Sequence, residues 1–280
     1  MGADPEADAR SGASGERYTN RVRVDTSDAL ESYIARDTVL GRDVELDVAR
    51  AAGEGPGSDW ILRETCALAR LEDPRTPAIL DVGTLEDGRR FLARSPARGV
   101  SLEGLLADAQ ASGNGGKILR ALIGAAEVIA YAHARGVGHG DLGPDAVLVN
   151  DFGGVQVVGW RNATVSGPER RVEDDSNCRA DLVSLRALLM QASGSIAFSG
   201  KAAETFARVL ARFSSPDDPI TNAAELVAAL RPLLGAAGTS RRRLRLRFSN
   251  RAVMRAAAAV GVLAVSVTAA TAAYIAYKKS

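Results

Sequence analysis

The stretch His139-Gly140-Asp141-Leu142-Gly143-Pro144-Asp145-Ala146 decides how the rest of the chain is read. Before it, residues 117–135 repeat apolar side chains at 118, 119, 122, 123, 126, 129 and 130, a helical period that predicts a long central helix. After it, Val147–Asn150 and Val155–Val158 read as two short strands. The Asn-Asp-x-Gly-Gly between them is turn chemistry. The stretch is therefore a loop between a helix and a tight hairpin.

These eight residues resemble the catalytic loop of the protein kinase family, His-Arg-Asp-Leu-Lys-Pro-x-Asn. In that loop the Asp accepts the substrate hydroxyl proton and the Asn holds a magnesium ion. Asp141 matches the Asp, whereas Gly143 stands at the Lys position and Ala146 at the Asn position. Gly140 replaces the Arg, removing the pocket that reads activation-loop phosphorylation in the family. His133 and His139, the only histidines, fit the family pattern Tyr-x-His-x-x-Gly-Val-x-His as packing and hydrogen-bonding residues. A literal Asp151-Phe152-Gly153 imitates the magnesium-binding motif, but it follows one strand of the hairpin where the family has two. Counting the second strand puts the motif position at Gly159-Trp160-Arg161, so that Gly159 stands where the metal-binding Asp belongs.

Outward from the loop, Tyr33–Val44 resembles the second and third strands of a bacterial serine/threonine kinase. The family's glycine-rich loop, which closes over the nucleotide phosphates, has no glycine here: Asp25-Thr26-Ser27-Asp28-Ala29-Leu30 occupies its place. Asp25 and Asp28 would repel phosphates by on the order of a few kcal/mol at intermediate dielectric. Asp47 stands where the phosphate-binding Lys belongs, and residues 1–116 contain no lysine. Asp59–Leu71 has helical spacing and resembles the small-lobe helix, whose glutamate matches Glu64. With Asp47 opposite, this pair becomes two acids, leaving Glu64 as a solvated surface residue or one paired with Arg. Trp160 and Arg161 are expected to fill the nucleotide cleft, with Arg161 pairing to Asp47 or Glu64. Leu80–Gly83 and Arg90–Ala93 form the next hairpin across Glu86-Asp87-Gly88, and Gly99 with Ser101–Ala107 resembles the hinge and the first helix of the larger lobe.

Toward the carboxyl end the resemblance is structural. Gly167-Pro168-Glu169 resembles Ala-Pro-Glu, and Asp181 matches the Asp that ties down the catalytic-loop backbone; with His139 these are fold residues. Seven residues, Asn162–Pro168, separate the metal-motif position from Glu169, too few for the usual activation segment. The helix Asp181–Ala192 runs through 194–200 directly into Ala202–Phe213, and Pro219 replaces the Arg that pairs with Glu169. The last helix, Asn222–Leu234, begins with an Asn cap.

Composition bounds the rest. The net charge of +1 hides an asymmetry: residues 241–280 carry seven Arg, two Lys and no acid, leaving 26 basic and 34 acidic residues in 1–240, a net of −8. An acidic body argues against nucleic-acid binding. Cys66 and Cys178 have no metal or redox spacing. Residues 1–17 are small, polar and charged, with no signal-peptide core. Ala256–Ala276 is 21 residues without a charge, long enough to cross a membrane, and the heavier Arg cluster before it places the body in the cytoplasm.

The expectation is an α+β, two-lobed protein-kinase-like fold: a small antiparallel β lobe with one helix over 18–97 and a larger, trimmed helical lobe over 98–234. A disordered 1–17 precedes it, and a basic linker 235–255 and a transmembrane helix 256–277 follow. With the phosphate lysine, the glycine loop and both metal ligands missing together, the chain is expected not to be an enzyme. It would be a pseudokinase on the cytoplasmic face of the inner membrane, single-pass, with vestigial Asp141, no metal, no cofactor and a signalling protein as partner. The degenerate nucleotide positions are Asp25, Asp28, Asp47, Glu64, Gly143, Ala146 and Gly159. Two alternatives stand beside it. One is an active or atypical serine/threonine kinase using ATP and magnesium; the other is a passive membrane scaffold whose acidic surface or span binds partners.

Overall fold

The computed structural model describes residues 17–108, 114–166, 176–213, 215 and 219–236. Five antiparallel strands, β1 (Tyr18–Thr26), β2 (Leu30–Asp37), β3 (Arg42–Ala52), β4 (Ile79–Thr84) and β5 (Arg89–Arg94), form a sheet in the order β1-β2-β3-β5-β4. One helix, α1 (Pro56–Leu71), is inserted between β3 and β4.

Strand periodicity gives the sheet two different faces. Val44, Leu46 and Val48 pack with Tyr18, Ala35, Phe91 and Ala93 on one side. The alternate positions Leu30, Ala49 and Leu92 pack with Ile61 of α1 on the other. Ser32, Asp47 and Arg94 are in step with that second set, so the pleat delivers two charges to the face under the helix. A side chain at Gly57, in the first turn of α1, would collide with the carbonyl oxygen of Ala29, so helix and β1–β2 turn lie in direct contact.

The remaining elements are β6 (Val100–Ser101), α2 (Leu102–Ala107), α3 (Gly115–Ala134), β7 (Val137–Gly138), β8 (Val147–Val149), β9 (Val155–Val157), a 3-10 turn Trp160–Asn162 and β10 (Thr164–Val165). They are followed by α4 (Ser176–Ala192), α5 (Lys201–Arg212) and α6 (Ala223–Leu230). The central α3 buries Ile118, Leu119, Leu122, Ile123, Ala126 and Ile129. The same core includes Ala67, Leu68 and Leu71 of α1, so the apolar interior runs from the small-lobe helix into the helical lobe. Burying each such aliphatic side chain stabilises the fold by roughly 1.5–3 kcal/mol. Asn222 caps α6, its side chain accepting from Glu225 N at 2.9 Å while Glu225 accepts from Thr221 N, a reciprocal arrangement.

A mixed fold with an antiparallel sheet beside packed helices is what the sequence predicts. Some boundaries differ: the small-lobe helix starts three residues before Asp59, at Pro56, whose missing N–H costs nothing at a first helical position. The last helix tightens into a 3-10 turn at Arg231–Leu233, where Pro232 cannot donate. No helix among the described residues is long and apolar enough to cross a membrane. The expected span 256–277, the linker from 237 and Glu169 all lie outside the described residues.

Candidate active site

Asp141 lies on the loop between β7 and β8, with its side chain exposed. The loop backbone is fixed from below by Asp181 of α4, which is fully buried. Its carboxylate accepts from the N–H groups of His139 and Gly140, each at 2.8 Å, and faces His133 Nε2 at 2.9 Å. His139 Nε2 donates to the carbonyl of Val158 at 2.9 Å, which leaves Nδ1 to accept from the N–H of Asp141 at 3.3 Å. Burial holds the His139 pKa below its ordinary value, against the pull of Asp181, so this neutral tautomer is the favoured one. Asn162 Nδ2 donates to Asp141 Oδ2 at 3.1 Å, completing the support of the carboxylate.

The hairpin register is explicit. β8 and β9 pair Val147 with Val157 and Val149 with Val155, and Asp151-Phe152-Gly153 forms the turn between them. Asn150 Oδ1 accepts from the N–H groups of Phe152 and Gly154, and the Phe152 side chain is 99% exposed. Gly159 follows β9 with φ 83°, ψ 39°, a left-handed conformation, and a Cβ there would meet nothing within 4 Å. Trp160, expected in the nucleotide cleft, instead enters the core: it is fully buried, lies with its ring centroid 4.5 Å from that of His139 at a tilt of 58°, and donates from Nε1 to Val157 O. The core offers its indole both apolar contact and a carbonyl acceptor.

Asp47 and Glu64 are both buried under the sheet, but they do not face each other as two unrelieved acids. Arg94, at the end of β5, lies between them: Nη1 donates to Asp47 and sits 3.4 Å from Glu64, and Nη2 is 2.6 Å from Glu45. Neither a solvated nor a surface Glu64 survives; it is buried and paired to arginine. Arg161 adds a second cation, with Nη2 3.2 Å from Asp47 and 3.1 Å from Ser32 Oγ, Nε 3.8 Å from Glu64 and Nη1 3.8 Å from Asp25. Asp28 stands exposed in the β1–β2 turn.

The electrostatics follow from this arrangement. Burial works to raise the Asp47 pKa, but Arg94, Arg161 and the Ser32 hydroxyl outweigh it and hold the carboxyl below its usual range. Burial also raises Glu64, and there the nearby Asp47 adds to it, so that Glu64 stays above its ordinary value despite Arg94. Burial opposes the Arg94 cation, yet Glu64, Asp47 and Glu45 together raise its pKa. The cation that neutralises Asp47 is thus an arginine, Arg94, and not a lysine. The signal was present: with β3 and β5 antiparallel, Leu92 opposite Asp47 places Arg94 opposite Glu45 and diagonal to Asp47 on the same face.

Ala146 is nearly buried and Gly159 has no side chain, so neither family metal position offers an oxygen ligand. Magnesium demands near-octahedral oxygen coordination that includes carboxylates. Among the described residues there is no cluster of three or more His, Cys, Asp or Glu able to hold a metal ion. A magnesium ion held through those two positions does not fit this chain.

An antiparallel sheet carrying one helix, followed by packed helices and the Asp141 loop, is compatible with a protein-kinase-like domain. No protein-family model matches the chain. It is 29% identical over 205 residues to the DNA damage-responsive serine/threonine-protein kinase RqkA of Deinococcus radiodurans, covering 66% of this chain and 31% of that protein. It is 31% identical over 130 residues to a probable serine/threonine-protein kinase of Bifidobacterium longum, 45% of this chain and 17% of that one. It is 27% identical over 215 residues to the serine/threonine-protein kinase PknL of Mycobacterium tuberculosis, 68% and 53%. Several bacterial serine/threonine-protein kinases are thus homologues of this chain, which spans from about a sixth to about half their length. This corrects the expectation that the chain is not an enzyme: the relatives it matches are named as serine/threonine-protein kinases.

Proposed function

We propose that the chain is an atypical serine/threonine protein kinase that binds ATP, in which Asp141 accepts the proton of the substrate hydroxyl. The observation that carries this reading is an exposed carboxylate on a loop whose backbone is locked by Asp181 and whose Oδ2 is held by Asn162. Phosphoryl transfer depends on positioning and charge neutralisation more than on covalent chemistry. In this reading Asp141 orients and deprotonates the attacking hydroxyl, while the Arg94–Glu64 pair takes the place of the family's lysine–glutamate pair in fixing α1 against the sheet. The substrate protein and the signalling partner are parts of the proposal that rest on the family alone.

We also infer that the enzyme is held on the cytoplasmic face of the inner membrane by residues 256–277. Support comes from the 21 uncharged residues and the seven preceding arginines. Release of the full chain from membranes by alkaline carbonate would refute the anchor.

The kinase reading is tested by incubating the full chain in detergent with γ-labelled ATP and serine- or threonine-containing peptides, beside Asp141→Asn. Label transfer that the substitution abolishes is expected. Absence of transfer together with absence of nucleotide binding would sink the reading.

A further inference from the structure

Arg161 ties the larger lobe to four elements of the smaller one: Asp25 on β1, Ser32 on β2, Asp47 on β3 and Glu64 on α1. These partners are unequal. Asp47 and Glu64 are buried and compensated by Arg94, so they do not leave. Asp25 has a side chain 63% exposed and reaches Arg161 only at 3.8 Å, a contact of the kind that contributes little in water. Arg161 itself is 25% exposed, and the position two residues before it, Gly159, opens onto free space. The outer side of this guanidinium therefore meets solvent and a weak, replaceable anion.

A partly exposed guanidinium with a weak partner is suited to taking up a stronger anion. It stays charged at any working pH and binds phosphate oxygens through two parallel, charge-assisted hydrogen bonds. The two family positions that would carry magnesium lack oxygen donors, so charge neutralisation falls to the cation that is present.

Resting on the ATP-binding reading above, we propose that the nucleotide phosphates bind at Arg161 without a divalent metal, by replacing Asp25 as its outer partner. Asp25 then acts as a resident competitor, covering the cation until nucleotide arrives. The exchange is a swap of anions and leaves the buried Asp47–Arg94–Glu64 set intact.

The experiment is ATP binding to the full chain by calorimetry, in EDTA and in magnesium, for wild type, Asp25→Asn, Arg161→Gln and Arg161→Lys. Binding in EDTA is expected to be at least as tight as in magnesium, since chelation takes up phosphate charge that Arg161 would otherwise meet. Asp25→Asn should tighten binding by about threefold or more, as one competing charge is removed. Arg161→Gln should weaken it by at least about tenfold, and Arg161→Lys by less, because a point charge replaces the fork. The gain in Asp25→Asn cannot arise from misfolding, which protects the test if Arg161→Gln proves unstable. Binding that requires magnesium, or is unchanged by Asp25→Asn, overturns this inference and leaves the kinase reading standing. No binding in any variant or buffer overturns both.

Discussion

Arg94 donates to Asp47 in a pair where both side chains are almost wholly out of water, at 6% and 1% exposure. Around it Glu45 and Glu64 lie at 2.6 and 3.4 Å, so the guanidinium neutralises a site that holds three carboxyl groups. Breaking a buried pair by removing one partner is more damaging than replacing the whole set, because an uncompensated charge stays behind. Arg94→Leu is therefore expected to destabilise the chain by about 3–5 kcal/mol in urea unfolding. The triple variant Arg94→Leu, Asp47→Leu, Glu64→Gln should recover most of that loss. A single variant within 1 kcal/mol of wild type would falsify the assignment of Arg94 as the central cation.

Glu64 sets the pH response of the same cluster. Its pKa in the fold lies above the ordinary 4.5, chiefly through burial. The folded state thus keeps a proton that the unfolded chain has lost, and stability falls as pH rises from 4.5 through the raised value. Asp47 works the other way, being lowered below 3.8, so its contribution is present above that pH and is lost on acidification. Glu64→Gln removes the first slope and leaves the second. Melting temperatures between pH 4 and 8 should show the variant gaining on wild type as pH rises, with the two similar at the acid end. Parallel curves across the range would show that Glu64 ionises normally in the fold.

How far the sequence reached depends on which physical cue each feature carries. The long periodic α3, the hairpin at Asn150–Gly154 and the alternation in β2 and β3 are local patterns, and local patterns can be read without coordinates. Arg94 is a different case, because its role comes from a strand pairing of Asp47 with Leu92, 45 residues apart in the chain, and no single segment shows it. Trp160 departs from its expected place for a similar reason: whether an indole fills a cleft or a core is decided by what surrounds it, here His139 and the carbonyl of Val157. The family motifs located the positions, but the charges actually placed there came from β5 and from the turn after β9.

The register of the hairpin leads to a prediction that separates the two copies of the metal-motif pattern. Asp151 and Phe152 sit in the exposed turn, where their side chains carry neither core packing nor contact with Asp141. Asp151→Ala and Phe152→Ser should change stability by no more than about 0.5 kcal/mol, as for ordinary surface sites. Label transfer and ATP affinity should stay within about twofold of wild type. A large loss of transfer in Asp151→Ala would mean that the turn copy, not Gly159, holds the catalytic position.

Asp181 makes the most exacting prediction, because it is buried beneath the loop and touches no substrate. Two backbone N–H groups at 2.8 Å and His133 at 2.9 Å depend on its carboxylate. Asp181→Ala strands two N–H donors, that of His139 buried and that of Gly140 partly so; each unpaired buried group costs about 1–3 kcal/mol and the part-buried one less, so a loss of about 2–5 kcal/mol is expected in urea unfolding. Asp181→Asn keeps one acceptor oxygen but turns an NH2 toward a donor, and should fall between the two. Activity should drop further than the unfolded fraction accounts for, since the freed loop no longer holds Asp141 against Asn162. Measuring label transfer per folded molecule at low temperature makes that distinction. If transfer per folded molecule in Asp181→Asn equals that of wild type, Asp181 contributes stability only, and the position of Asp141 is set from above, by Asn162 and His139 alone.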